Sequence, residues 1–177
     1  MSKLRVKIKF PSSFKEKKRK LLKEAIREAV SYHDLGDIDH TVYVEFVPFI
    51  QKSTEKYSIV NGLYRHVNSE KSVVSIRTTF VGKMCSILFH EFAHLRHRLK
   101  YELVFMPNGP VLFKGSLYPI SSAFGSVSYT EYRKLPDEVD ARYHESVLYE
   151  NWVTRGRGPK IVNRIINSLR RVYVNFT

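Results

Sequence analysis

At 177 residues, with 43% hydrophobic and 13% aromatic content, the chain has enough apolar material for one domain with a real core and too much for a disordered tail. A single cysteine, Cys85, excludes an internal disulfide framework, and the net charge of +13 points toward anionic partners. No apolar run approaches the ~18–20 residues of a bilayer span, and the charged N-terminus lacks the apolar stretch of a signal peptide, so no membrane partner and a cytoplasmic location are expected.

The charge is uneven. Residues 1–23 carry +9 and residues 151–177 carry +6, while the middle, 24–150, carries −2. Basic ends around a neutral middle suit a polyanion such as DNA or RNA; the simpler reading is a solvated, soluble surface.

In chain order, Leu4 to Phe10 alternates apolar and basic residues, the pattern of a half-buried strand. Ser13 with Glu16 reads as a capping box opening a helix, whose apolar stripe comprises Phe14, Leu21, Leu22, Ala25, Ile26, Ala29 and Val30. The segment 34–40 is a turn or loop. Strands are expected at Thr41–Phe49, Tyr57–Val67 (with a turn-prone Asn61-Gly62) and Lys71–Thr78. Helical periodicity returns from Phe80 to about Leu99, and Cys85 inside it reads as a small buried hydrophobe. Tyr101–Phe105 and Val111–Tyr118 flank a turn at 106–110 and make a hairpin, and Ser121–Ser128 is a loop or flap. A third helix opens near Pro136 and runs to about Val153, and a terminal one covers Lys160 to about Tyr173. There is no repeat and no second-domain boundary, so residues 1–177 form one domain of α+β class. Its small mixed or antiparallel sheet packs against the Phe80–Leu99 helix and the N- and C-terminal helices.

That helix holds His90-Glu91-Phe92-Ala93-His94. Residues four apart lie one above the other on a helix, so two imidazoles can share one metal ion, with the glutamate beside them able to take a proton from the metal's water. Leu88, Phe92, Leu95 and Leu99 make a narrow apolar stripe nearly opposite His90 and His94, which suits a helix with its back in the core and its front on a cleft. A catalytic zinc needs a third protein ligand. His97 shares the helix and lies beside Arg96 and Arg98, which read as a wet helix end, so it is set aside. A metzincin continuation would need glycine at position 97 and histidine at position 100, where the chain has His97 and Lys100. The richest source is the segment Leu135 to Tyr143, with Asp137, Glu138 and Asp140 as candidates.

The pentad helix, a hairpin, and a helix opening Pro136-Asp137-Glu138-Val139-Asp140-Ala141 together resemble the gluzincin-like small metallopeptidases of the ImmA/IrrE type, over about residues 80–150. The resemblance implies a minimal zincin-like domain, one zinc ion held by His90, His94 and Glu138, and Glu91 as the general base. It also implies Ala141 as a close-packing residue between helices. The family usually has Asp or Asn after that alanine, where this chain has Arg142; Asp140 is the substitute expected to accept an imidazole N–H. The function implied is zinc-dependent hydrolysis of a peptide bond in a protein or peptide substrate. Tyr129, Tyr132, Tyr143 and His144 are all candidates to stabilise the developing oxyanion, with nothing in the sequence to choose among them. The alternatives are a nucleic-acid-associated protease of SprT-like kind, docked through the basic ends, and a non-enzymatic DNA- or RNA-binding regulatory protein. The oligomeric state is unknown from sequence.

Overall fold

A computed structural model of the chain describes residues 3–50, 60–106, 110–118 and 129–156, with the side chains of 129 and 130 left out. The expected terminal helix at 160–173, the flap at 121–128 and the start of the Tyr57–Val67 strand lie outside the described residues.

The chain begins with a unit dictated by its pattern: strand, amphipathic helix, parallel strand. β1 (Arg5–Lys9) is followed by α1 (Glu16–Tyr32) and β2 (Thr41–Val47), and β1 pairs with β2 in parallel, Arg5 opposite Thr41. β3 (Gly62–Asn68) and β4 (Lys71–Arg77) form an antiparallel hairpin with a bulge between His66 and Asn68. β4 then pairs in parallel with β2, giving a mixed four-stranded sheet of order β1-β2-β4-β3. α2 (Val81–Leu99) follows. A second small antiparallel sheet comprises β5 (Leu103–Phe105), β6 (Val111–Phe113) and β7 (Ser116–Tyr118). The short α3 (Tyr129–Tyr132) leads into α4 (Pro136–Thr154), which starts on the proline as expected. The class is thus mixed α+β.

One face of the large sheet supplies Val42, Val44, Phe46, Val74 and Ile76 to the core, where α1 contributes Leu22, Ala25, Ile26 and Ala29. α2 is the centre of this core. Met84, Cys85, Leu88, Phe89, Phe92 and Leu95 are all fully buried, and Trp152 from α4 meets Phe89 edge-on at 5.9 Å. Cys85 is the inert small hydrophobe expected, burial pushing its thiol up to about 12. No described helix is long and apolar enough to cross a membrane.

Three local expectations need correcting. α1 starts at Glu16 with Lys15 as its N-cap and no capping side chain, so Ser13 lies too early to close a capping box. Val111–Tyr118 is two strands, because Lys114 and Gly115 both adopt positive φ (47° and 83°) and turn the chain through a two-residue loop of the primed kind. The helix end at Arg96–Arg98 is not wet: Arg96 and His97 are buried.

Candidate metal centre

His90 and His94 stand one turn apart on the side of α2 that faces the start of α4. There Pro136 fixes the first turn, and Glu138 sits close enough to the helix N-terminus for the dipole to favour its charge. Ala141, one turn further on, is fully buried, so α4 lies close against α2. This brings three donors together. His90 Nε2 and His94 Nε2 are 3.1 Å apart, Glu138 Oε1 is 3.1 Å from His94 Nε2, and Glu138 Oε2 is 3.5 Å from His90 Nε2. Tetrahedral bonds of ~2.0–2.1 Å place two donors about 3.3–3.4 Å apart, so one zinc-sized ion fits between these atoms with little movement. The three residues form one of two groups among the described residues that could hold a metal ion.

The imidazoles are oriented for that use. Glu145 Oε2 lies 3.2 Å from His90 Nδ1 and, as a carboxylate, can only accept; Nδ1 therefore carries the proton and Nε2 keeps its lone pair for the centre. Ser86, one turn before His90, donates its hydroxyl to Glu145 and holds that carboxylate in place. Asp137 Oδ2 stands 4.0 Å from His94 Nδ1. Burial lowers the affinity of His90 for a proton, but hydrogen bonds to Glu138 and Glu145 outweigh it and raise its pKa to about 10. Burial likewise opposes ionisation of Glu138, yet its bonds to the two imidazoles hold the carboxyl far below the usual range. A cluster that would otherwise hold protons between its bases is the donor chemistry a divalent cation displaces.

Glu91 is buried beside this centre, and burial raises its pKa while the neighbouring His94 and His90 work the other way. Its carboxylate lies directly against Gly62 of β3. A Cβ at position 62 would collide with Glu91 Oε1 and with Ile87 Cγ2, so only glycine lets the edge strand approach the helix this closely. Of the four candidates for the oxyanion donor, Tyr132 lies in the site: its hydroxyl donates to Glu138 Oε1, and burial raises its pKa, keeping it protonated. Tyr143 is exposed, His144 belongs to a different cluster, and the side chain of Tyr129 lies outside the described residues. A cavity of about 300 Å³ is lined by His90, Glu91, His94, Tyr132 and Glu138 together with Gly62, Tyr64 and His66 of β3.

Asp140 does not serve a ligand imidazole, as the sequence led one to expect. Its Oδ2 accepts from His97 Nε2 at 2.8 Å and from Arg96 Nη2 at 2.6 Å, and its Oδ1 accepts from Lys114 Nζ at 2.5 Å. These bonds are what bury Arg96 and His97. They also explain why the second group, His97, Glu102 and Asp140, is poor metal chemistry: Arg96 already bridges both carboxylates, and Lys114 adds a second cation. The residues that sequence reasoning missed are Glu145, Ser86 and Gly62. The first two had a signal, since Glu145 is seven residues after Glu138 and Ser86 four before His90, each on the face of its partner.

No protein-family model, curated protein or solved structure matches this chain.

Proposed function

We propose that this protein is a zinc-dependent metallopeptidase, one ion per chain, with a minimal zincin-like domain and with His90, His94 and Glu138 as the ligands. The observation that carries the reading is the convergence of two Nε2 atoms and one carboxylate at 3.1–3.5 Å, with His90 fixed through Nδ1 by Glu145. Its coarse architecture, a mixed sheet with a buried pentad helix on one face, is the frame such a domain requires. When bound, zinc supplies Lewis acidity, bringing the pKa of water from 15.7 toward ~7 and polarising a carbonyl.

The rest falls to the chain's own groups. Glu91 takes the proton from the attacking water and returns it to the leaving amine; a burial-raised pKa brings it closer to neutrality, where one group can do both. Tyr132 holds a protonated hydroxyl at the edge of the site; its one proton, donated to Glu138 Oε1 in this structure, would turn from that carboxylate to the oxyanion as charge develops on the carbonyl oxygen. β3 is the terminal strand of the sheet among the described residues and lines the cavity, so it offers main-chain groups to an extended peptide.

Purified protein should contain about one zinc per chain. His90→Ala and Glu138→Ala should each lose it, while Glu91→Gln should keep it and lose peptide hydrolysis. Protein without zinc after metal loading refutes the reading.

A second, compatible reading concerns partners. Arg5, Lys7 and Lys9 project together from β1 at the far edge of the sheet, with exposed Tyr43 in register beside Lys7 and the Lys7 ammonium 5.3 Å from its ring. Such an edge fits a nucleic-acid backbone, as in a protease docked on DNA- or RNA-bound targets, or in a purely regulatory binding protein. Salt-sensitive binding of single- or double-stranded DNA that weakens in a Lys7→Gln/Lys9→Gln variant separates this from a merely soluble surface.

A further inference from the structure

The face of α2 that carries His90 and His94 continues one turn further, to Arg98. This arginine is half-buried, and its guanidinium lies 5.8 Å from the ring centre of Phe105. No hydrogen bond or ion pair engages it among the described residues, in contrast to Arg96 two positions earlier, which is saturated by Glu102, Asp140 and His144. Arg98 lines the cavity of the candidate centre and also a neighbouring one of about 400 Å³, and His66 and Phe105 line both, so the two hollows meet at this side chain. Nearby acids do not neutralise it: Asp39, in the second cavity, is bonded to Arg5 at 3.1 Å, and Asp137 lies toward His94.

The opposite flank is built differently. The cavity beyond Glu91 is lined by three cations, Lys83, Arg133 and Arg142, and by three acids, Glu91, Glu138 and Glu145, and Arg142 donates to the carbonyl of Arg133 and lies 3.9 Å from Glu138. Among the described residues the cleft is therefore charge-balanced at one end and carries an unmatched guanidinium at the other. A planar, permanently charged fork held against an aromatic ring in a hollow suits a carboxylate, which it can bind through two parallel bonds.

We infer that Arg98 is a carboxylate-binding subsite of the cleft, so that the substrate is a peptide bearing a carboxylate on the β5 side of the bond to be cut. The peptide part rests on the metallopeptidase reading. Arg98 lies six residues, or ~9 Å at ~1.5 Å per residue, along α2 from the midpoint of His90 and His94, and an extended peptide advances ~3.3 Å per residue, which puts that group about two or three residues from the bond. Its source is either an acidic side chain or the free C-terminus of a short peptide.

The test uses the full chain carrying Glu91→Gln, immobilised with zinc, to select from a synthetic octapeptide library made in C-amidated and free-acid forms. The amidated pool should show Asp and Glu enriched about tenfold or more over Asn and Gln at one position, falling to background in Glu91→Gln/Arg98→Gln and only partly in Glu91→Gln/Arg98→Lys. Enrichment confined to the free-acid pool, equally lost with Arg98→Gln, assigns the subsite to the terminal carboxylate. Circular dichroism and zinc content equal to the parent establish that the Arg98 variants are folded. No acidic selection, selection that survives Arg98→Gln, or retention of no peptide at all overturns the subsite. Failure of the parent reading looks different: no zinc is held, yet acidic peptides are still retained through Arg98.

Discussion

Gly62 gives the sharpest test of how Glu91, the proposed general base, is held. Alanine at this position places a methyl group 2.3 Å from Glu91 Oε1 and 2.4 Å from Ile87 Cγ2, and both residues belong to the buried centre of α2. Ile87 is branched and packed, and the Glu91 carboxylate is wedged between helix and strand, so neither can yield freely. Overpacking of this kind costs ~1–3 kcal/mol, partly offset by the ~0.5–1 kcal/mol that alanine gains over glycine in a strand. The net loss of roughly 1–2 kcal/mol corresponds to a fall in melting temperature of about 2–8 °C for a chain of this size. The lone, fully buried Trp152 is a convenient fluorescence probe of that transition. Zinc content should be unchanged, since the three donors hang on α2 and α4. Peptide hydrolysis should fall by about 100-fold, the cost of a general base displaced by an ångström. In a Glu91→Ala background half of the collision is gone, and the stability penalty of Gly62→Ala should shrink by at least ~0.5 kcal/mol. A Gly62→Ala protein as stable as the parent, or a penalty that ignores the Glu91→Ala background, refutes the argument that this glycine exists to admit the carboxylate.

Two further perturbations probe neighbouring groups. Glu145→Ala removes the acceptor that fixes the tautomer of His90, and zinc affinity measured by competition with a chromophoric chelator should weaken about 10- to 100-fold; an unchanged affinity would mean that Glu145 plays no part in preparing the ligand. His33 is buried at the end of α1 against Tyr32 and His144, with neither ring nitrogen hydrogen-bonded among the described residues. Burial foremost, then Arg96, His144 and His97, lower its pKa to about 3, with Asp140 opposing. A base whose folded pKa is depressed binds its proton only in the unfolded chain, so the fold loses stability as pH falls below ~6.5, by up to ~1.4 kcal/mol per unit, until about pH 3. His33→Phe should flatten the pH dependence of urea unfolding over that window, and an identical slope in the two proteins would contradict it.

Much of the layout is legible in the sequence because it rests on local periodicity. The alternation in β1, the apolar stripe of α1 and the Pro136 start of α4 all follow from side-chain spacing alone. The pentad is legible for the same reason, as the stacking of His90 over His94 is a property of one helix. What was not legible depends on pairs far apart in the chain. Arg96 and His97 read as a solvated end because their acceptor, Asp140, comes from α4, more than forty residues later. Asp140 in turn reads as an acceptor for His90 or His94 because nothing local reveals that it is already occupied. Gly62 read as a turn glycine beside Asn61; its role appears only when β3 is laid against α2. The missing cap at Ser13 is a milder case, with the chain entering α1 two residues later than its hydroxyl could serve.

These long-range pairs share one physical cause. α2 is buried on nearly every side, so each polar group on it must be matched by a group from another element or carry a desolvation cost. α4 supplies most of the matches: Glu145 to His90 and to Ser86, Glu138 to His90 and His94, and Asp140 to His97 and Arg96. β3 supplies another, the backbone N–H of Tyr64 to the Glu91 carboxylate, in a strand that Gly62 lets come close to the helix. The same contacts that seat α4 on the core thus assemble the three donors, and a segment that fails to seat α4 cannot form the centre in part. Arg98 stands outside this scheme. It is the one arginine of α2 that lies in the cleft with its charge unmatched among the described residues, which is the condition expected of a group whose partner arrives with the substrate.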